Sequence, residues 1–227
     1  MDTETKQSIY HTAPFNVAGT GMMSFKPINA IHQHLCAFHV YANNRKRPIE
    51  AHHYCKHITP EFHQCIIYDS DEPNAKLIGI EYIVSEKIFS SLSTDEKKYW
   101  HSHKYEIESG LLQLQQGVGS VNDLAEQPVM LELHKTYGKT IHTWAIDTNP
   151  NLPLGPPSLM MSYTGDGQLD SSFVKARDEK MGQSTEAKRE LRKGYLPAYE
   201  KVEDSDIWEK SGKGIAFEPV EQEPKNS

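Results

Sequence analysis

Three consecutive segments in the first half of the chain have the length of β-strands and are separated by turn-forming residues. They cover residues 50–57, 62–69 and 77–85. The first gap reads ITPE, and the second reads SDEPNAK with Pro73 and Asn74 at its tip, which suits a tight connection. Strands joined by such short gaps usually pair with their neighbours, so the sequence predicts a three-stranded antiparallel meander.

Helical spacing is present on both sides of this meander. Apolar residues recur every three or four positions across residues 27–42, which predicts a helix with one face on a core. A second helix is predicted to open at Thr94, because acidic residues follow in what would be its first turn. A third is predicted over residues 120–137, before Gly138, a residue type that suits the end of a helix.

Two later segments are also predicted as strands. Residues 139–147 combine β-branched and aromatic side chains, and residues 158–164 follow a rigid loop rich in proline. Together these elements predict an α+β fold, in which an antiparallel sheet built from a meander plus later strands is flanked by helices.

The composition divides the chain into four parts. Residues 1–24 form a polar N-terminal arm, residues 25–170 the α+β domain, and residues 171–199 a helical extension. Residues 200–227 are acidic and poor in apolar side chains, so we expect a flexible tail.

The charge and the terminal sequence exclude several classes of protein. A formal net charge of −7 and a pI near 5.9 argue against a nucleic-acid-binding protein, which normally presents a basic face. No secretory signal is recognisable, and no stretch approaches the roughly 20 apolar residues of a transmembrane helix. We expect a cytoplasmic protein whose contact with lipid, if any, is peripheral.

Histidine is unusually common, with twelve residues of 227. Imidazole is the commonest metal ligand in proteins and changes its charge near neutral pH. On the predicted strand 50–57, His53 shares one face with Cys55 and His57, because side chains alternate along a strand. His53 is therefore a candidate metal ligand.

Glu81 lies in an otherwise apolar predicted strand, between Gly79 and Ile83. A buried carboxylate is costly, by several kcal/mol, unless it is paired or bound to a metal. Two interpretations remain open. Glu81 faces solvent or a lysine, or it is a metal ligand or general base.

His101 and His103 form a His-x-His pair followed by Glu106 and Glu108. In an extended segment both rings project on one side, whereas in a helix they diverge by about 200° and cannot share an ion. With Glu108 and a distant His142, the spacing is similar to the metal pattern of cupin barrels, although the surrounding glycines and prolines do not follow it. The broader hypothesis is that His53, His101, His103 and His142 bind a divalent transition metal (Zn, Fe or Cu), with Glu81 or Glu106 as base.

The three cysteines contain no CxxC pair, which is typical of a reducing compartment rather than of a disulfide framework. Cys55 and Cys65 are most simply small buried side chains, although a pair across the hairpin or a soft-metal site stays open. Neither a GxSxG, a P-loop, a GxGxxG nor an HExxH motif is present, which removes the common hydrolase, nucleotide-binding and zincin classes.

Several blocks of sequence resemble a known family in the same order. The blocks are HQHLCAFHVYANNRKRPIEAHHYC, QCIIYDSDEPNAKLIGIEYIVSE, KKYWHSHKYEIESGLL, YGKTIHTW and LPLGPPSLMMS. Within residues 25–170 they are similar to the plant oil-body-associated proteins (DUF1264) and their fungal and other non-seed relatives. The resemblance implies association with lipid droplets, but it transfers no active residue, because the family has no settled catalytic motif.

Two hypotheses of function follow. In the first, which the sequence favours, the protein is a metal-dependent enzyme that binds or transforms a small molecule in a reaction not yet assigned. In the second, it is a non-catalytic protein associated with lipid droplets or a partner, and its histidines are structural. The sequence does not determine the oligomeric state.

Overall fold

The computed structural model describes residues 21–115 and 122–224, together with positions 17 and 19. The chain divides into two compact units, residues 1–32 and 33–227, and each is described by itself. In the first unit, helix α1 (Lys26–Asn29) is a single turn that begins with Pro27 near its N-terminus.

The second unit begins with four strands, continues with helices and further strands, and ends with three helices. Its elements are β1 (Gln33–Tyr41), β2 (Asn44–Thr59), β3 (Phe62–Tyr68), β4 (Leu77–Ser85), α2 (Glu86–Ser90), α3 (Thr94–Lys97), β5 (His101–Ser102), α4 (Lys104–Glu108), β6 (Gln113–Leu114), α5 (Asn122–Leu133), β7 (Thr136–His142), β8 (Ser158–Met161), α6 (Ser171–Met181), α7 (Thr185–Lys193) and α8 (Ile207–Ser211).

Six of the strands form a closed antiparallel barrel. Their order is β2-β3-β4-β7-β8-β1, and β1 pairs with β2 to close the ring. The predicted α+β fold with an antiparallel sheet is confirmed, and β2, β3 and β4 form the predicted meander. Closure into a barrel was not predicted.

The predicted helix over residues 27–42 is wrong, because residues 33–41 form the strand β1. From Leu35 to Tyr41 every residue of this strand is buried. One face lines the barrel, and the other packs under Trp208 and neighbouring apolar residues. A strand that is apolar on both faces has no alternation, so its hydrophobic residues also fit a helical spacing.

The barrel interior has three layers. One end is apolar and includes Leu35 and Ile83, and the other end is apolar and includes Tyr41 and Ile67. Between them lie His39, which follows Ala37 on the inward face of β1, and Glu81, which lies between Gly79 and Ile83 on that of β4; both are buried. The alternation of the strands thus places a polar layer inside an apolar shell.

Boundaries in the second half differ from those predicted. Gly138 lies inside β7 rather than at the end of a helix, because the helix α5 ends at Leu133. The division of the chain at residues 25, 171 and 200 stays a prediction. Within residues 200–224 the structure nevertheless buries Asp206 and Trp208.

Two buried arginines attach the C-terminal helices to the barrel unit. Arg177 on α6 donates to the carbonyl of Leu111 at 2.6 Å. Arg192 on α7 donates to the carbonyls of Ile107 and Leu112 and pairs with Glu126. Among the described residues, no helix is long and apolar enough to cross a membrane.

Candidate metal centre

Five histidines and one glutamate meet in the polar layer of the barrel. Each is at most 3% exposed, and they come from five different strands and the residue after β5. The cluster, called here the inner centre, consists of His39, His53, Glu81, His101, His103 and His142. Alternation directs each strand residue inward, so their meeting follows from closure of the barrel.

Glu81 is the middle of this cluster. Its Oε2 lies 3.1 Å from Nε2 of His53. Its Oε1 lies 3.3 Å from Nε2 of His101 and 3.4 Å from Nε2 of His103. The alternative that Glu81 faces solvent or pairs with a lysine is therefore wrong.

His39 connects the carboxylate side of the cluster to His142. Its Nε2 lies 3.0 Å from Nε2 of His53, and its Nδ1 lies 3.0 Å from Nε2 of His142. His103 is oriented from outside the cluster, since its Nδ1 lies 2.8 Å from the hydroxyl of Thr136. The ring positions are thus set by contacts on both sides.

The spacing of these atoms matches that of metal ligands. With bonds of 2.0–2.1 Å, the ligand atoms of a tetrahedral zinc site lie about 3.3 Å apart. Two sets of three ligand atoms within 4.8 Å of one another share Glu81. One contains His39 and His53, and the other contains His101 and His103.

Several buried polar atoms of the centre lack a hydrogen-bond partner among the described residues. The Nδ1 atom of His101 and the Oε1 atom of Glu106 are among them. Buried polar atoms are normally satisfied by protein, by water or by a bound ion, so these atoms are suited to binding one.

The environment of Glu81 favours a charged carboxylate. Burial alone would raise the pKa of Glu81, but contacts from His101, His103 and His53 outweigh it and hold this pKa well below its usual value. Burial acts on the neighbouring histidines in the opposite sense. It lowers the pKa of His142 to about 3, with help from His53, and holds the pKa of His39 well below its usual value. The charged carboxylate and the neutral imidazoles of His39 and His142 are forms that bind a metal, whereas Glu81 outweighs burial and raises the pKa of His101, which must lose its proton to bind one.

Glu106 lies beside the centre in a different state. Burial raises the pKa of Glu106 above its ordinary value, although His103 and His101 oppose the change. This side chain lines the same small cavity as His39, His53, Glu81 and His103. It can therefore hold a proton next to the ligand atoms.

Two glycines leave the space that the cluster occupies. A Cβ on Gly138 would collide with Oε1 of Glu81 and would lie 2.8 Å from Nε2 of His101. A Cβ on Gly79 would lie 2.9 Å from Cδ2 of His142 and would also meet the carbonyl of Ile141. Side chains at these two inward positions would displace the proposed ligands.

The cavity at the centre is the size of an ion. Its volume is about 10 Å³, which is near the lower limit for one water molecule. A cavity of about 540 Å³, lined by residues such as Tyr105, Tyr163 and Asp166, lies elsewhere and shares no lining residue with it. This larger cavity and the metal-ligating groups are thus in different places.

The structure brings together all six residues proposed from the sequence. His53, His101, His103, His142 and Glu81 belong to the inner centre, and Glu106 lines its cavity. The His-x-His pair is extended at His101, so both rings face Glu81. The roles of these residues as ligands or bases stay predictions.

Sequence reasoning missed His39 as a member of the inner centre, and the cupin-like spacing placed Glu108 near a metal site that it does not approach. His39 was assigned to a helix, although a strand over residues 33–41 would have placed it on one face with Ala37 and Tyr41. Glu108, the acid at the cupin-like offset, pairs with His134 at 2.9 Å and with Lys104 at 2.7 Å instead.

The cysteines do not belong to the inner centre. Cys55 and Cys65 form a disulfide between facing positions of β2 and β3. Their interpretation as small unpaired side chains is wrong, and the pair across the hairpin is present. Cys36 is buried with a free thiol, and burial raises the pKa of that thiol to about 12.

Fold and centre define a class of protein, a closed antiparallel barrel that encloses a histidine and glutamate cluster. The chain belongs to the family described as "Protein of unknown function (DUF1264)", whose model matches residues 25–196. The resemblance to the oil-body-associated proteins is thereby confirmed, since curated members carry that name.

The similarity to these relatives extends over most of the chain. Oil body-associated protein 1B of Arabidopsis thaliana is 44% identical over 181 residues, covering 80% of this chain and 73% of the relative. Oil body-associated protein 1A of Zea mays is 43% identical, covering 84% and 76%. Oil body-associated protein 2B of Arabidopsis thaliana is 43% identical, covering 92% and 84%. No solved structure matches the chain.

Proposed function

We propose that this chain binds one divalent transition-metal ion at Glu81 inside its barrel. One observation carries the proposal: a fully buried carboxylate has histidine nitrogens 3.1 to 3.4 Å from both of its oxygens. Imidazole and carboxylate ligands suit Zn²⁺, Fe²⁺ or Cu²⁺. The thiols of Cys55 and Cys65 are bonded to each other and are therefore not offered as soft ligands.

The ligands differ in rank within this proposal. Glu81 belongs to two sets of three ligand atoms, with His39 and His53 in one and with His101 and His103 in the other, and the ion would be held by Glu81 and the histidines of one of these sets. The predicted ligand His142 contacts His39 rather than the carboxylate, so we assign it an orienting role.

The catalytic part of the proposal concerns Glu106. A bound ion would supply a Lewis acid or a redox centre, and Glu106 would hold or release a proton at its carboxyl group beside it. A cavity of about 10 Å³ admits a reactant of the size of water. Any larger reactant can enter only if the barrel opens. No reaction class is assigned.

Metal analysis of protein purified without a histidine tag tests the proposal. We expect close to one equivalent of Zn, Fe or Cu per chain in the wild type. Glu81→Gln and the double variant H101A/H103A should each retain less than about a tenth of it, because loss of groups that only support a metal already costs 10–100-fold in affinity.

Glu108→Gln is the matched control. Glu108 also contacts a buried histidine, His134, but lies outside the inner centre. It should retain the wild-type metal content. A metal-free wild type whose melting temperature does not change in chelator would overturn the proposal and favour structural histidines.

A second candidate function is contact with the surface of lipid droplets. The names of the relatives state an association with oil bodies. In the first unit of this chain, Val17, Met22, Met23 and Ile28 are each more than half exposed, and Phe25 is 39% exposed. Several exposed apolar side chains in a short stretch favour insertion into a lipid surface.

Flotation with phospholipid-coated triolein droplets tests this function. The wild type should float with the droplets, and the triple variant M22S/M23S/F25S should remain in solution. The matched control L152S/L154S removes exposed leucines of the second unit and should float as the wild type does. Equal flotation of all three proteins would contradict a role for the N-terminal stretch.

A further inference from the structure

A second group of metal-ligating side chains lies farther along the same two strands. His57 on β2 and His63 on β3 are directly opposite each other, with ring centroids 3.8 Å apart. Glu132 on α5 reaches both of them. Its Oε1 lies 2.7 Å from Nε2 of His57 and 3.4 Å from Nε2 of His63.

This group differs from the inner centre in its access to solvent. The His63 side chain is 3% exposed, whereas those of His57 and Glu132 are 30% and 38% exposed. The ligand atoms lie within 4.8 Å of one another, so one ion can reach all three. Contacts from His63 and His57 also lower the pKa of Glu132 to about 2, so its carboxylate is charged at neutral pH.

We propose that His57, His63 and Glu132 form a second, solvent-exposed metal site that takes an exchangeable divalent ion of the zinc, copper or nickel class. Two imidazoles and a carboxylate are a common set for such ions, and three protein ligands leave a position open to water. The buried ring of His63 fixes one ligand, while the exposed pair lets the ion enter directly from solvent.

The two sites are too far apart to share an ion. The Cys55–Cys65 pair separates them along the barrel, with His57 and His63 on one side and His53 on the other. His53 and His57 are four residues apart on one strand, which corresponds to about 13 Å. Each site can therefore be filled, or emptied by mutation, without the other.

To test the proposal, the full chain without a tag is first equilibrated with Zn²⁺ and dialysed extensively, so that the inner centre is filled. It is then titrated with Zn²⁺. We expect calorimetry to show one further equivalent that binds reversibly. His57→Gln and Glu132→Gln should each weaken this equivalent by at least about tenfold. Both positions are partly exposed, so the variants should fold.

Controls separate this site from the inner centre. Glu61→Gln removes an exposed carboxylate that pairs with Lys87 and should leave the reversible equivalent unchanged. Glu81→Gln should lose the retained metal and keep the reversible equivalent, so failure of the inner centre is distinguishable. Zinc binding that is absent in the wild type, or equal in H57Q, E132Q and wild type, would identify the group as ion pairs only and overturn the proposal.

Discussion

At the scale of single residues, the glycines on the inner face of the barrel are as important to the centre as its histidines. In a strand, alanine is ordinarily better than glycine by roughly 0.5–1 kcal/mol. At Gly138 the sign should reverse, because a Cβ there meets Glu81 and His101.

Gly138→Ala should therefore destabilise the protein by about 1–3 kcal/mol, the usual cost of overpacking, and should also lower its metal content. Urea unfolding in chelator and metal analysis check the two effects separately. Gly165→Ala is the control, since its Cβ would meet only the side-chain nitrogen of Gln168 at 3.4 Å and should change stability by less than about 0.5 kcal/mol. A Gly138→Ala protein as stable and as metal-loaded as the wild type would contradict this account.

The site residues were predictable where their environment was anomalous in the sequence. Glu81 is conspicuous in an apolar strand, and His101 and His103 have the spacing of a chelating pair. His39 has no such signal, because it lies in a fully buried strand. Which carboxylate pairs with which imidazole depends on the closure of the barrel, and local spacing does not contain that information.

At the scale of elements, the strands bounded by turn residues or by a proline-rich loop were predictable, and β1 was not. The pairs β2–β3 and β3–β4 follow from short gaps with turn residues. β1 was mistaken for a helix because burial on both faces removes the period of two. Its pairing with β8, more than a hundred residues later, has no local signature.

The β2–β3 hairpin should depend on its disulfide. The bond joins residues separated by 10 positions, and closing a loop of this size stabilises a protein by about 3 kcal/mol in the chain-entropy model. A phosphine reductant should therefore lower the melting temperature of the wild type but not that of C55A/C65A.

Counting thiols provides an independent check of the same bond. Unfolded, unreduced wild type should react with one equivalent of a thiol reagent, at Cys36, and reduced protein with three. Three reactive thiols before reduction would show that the hairpin is not bridged.

At the scale of the whole molecule, the buried histidines should make the metal-free protein sensitive to acid. The pKa of His142 is lowered to about 3, whereas unfolded histidine titrates near pH 6.5. Between these values the unfolded chain binds a proton that the folded chain excludes, so stability falls as the pH falls, by up to about 1.4 kcal/mol per pH unit. His39 acts in the same direction. Glu81 raises the pKa of His101 despite its burial, so protonated His101 stabilises the folded protein at pH values below 6.5. This stabilisation is lost only as the pH rises above 6.5 and His101 gives up its proton.

Comparison with His142→Gln isolates one of these contributions. Urea unfolding in chelator at pH 6.5, 6.0, 5.5 and 5.0 should show a smaller loss of stability per pH unit in the variant, by up to about 1.4 kcal/mol. Glu106, with its raised pKa, is present in both proteins and affects both slopes. Parallel slopes would mean that His142 takes up its proton in the folded state too.

Strand β8 has the fewest pairings in the ring, with three facing pairs to β7 and two to β1. β1 and β2 are joined through nine facing pairs, whereas β1 and β8 have two, Val40 with Met161 and Tyr41 with Met160, and Ala42 after β1 donates one further bond to the carbonyl of Leu159. Local opening is easiest where the fewest hydrogen bonds join two strands, so it should begin between β1 and β8. His39 is the residue before Val40, so this edge lies next to the imidazole that links His53 to His142. The rate at which the backbone amides of this edge exchange their hydrogens would therefore report how often the interior becomes accessible.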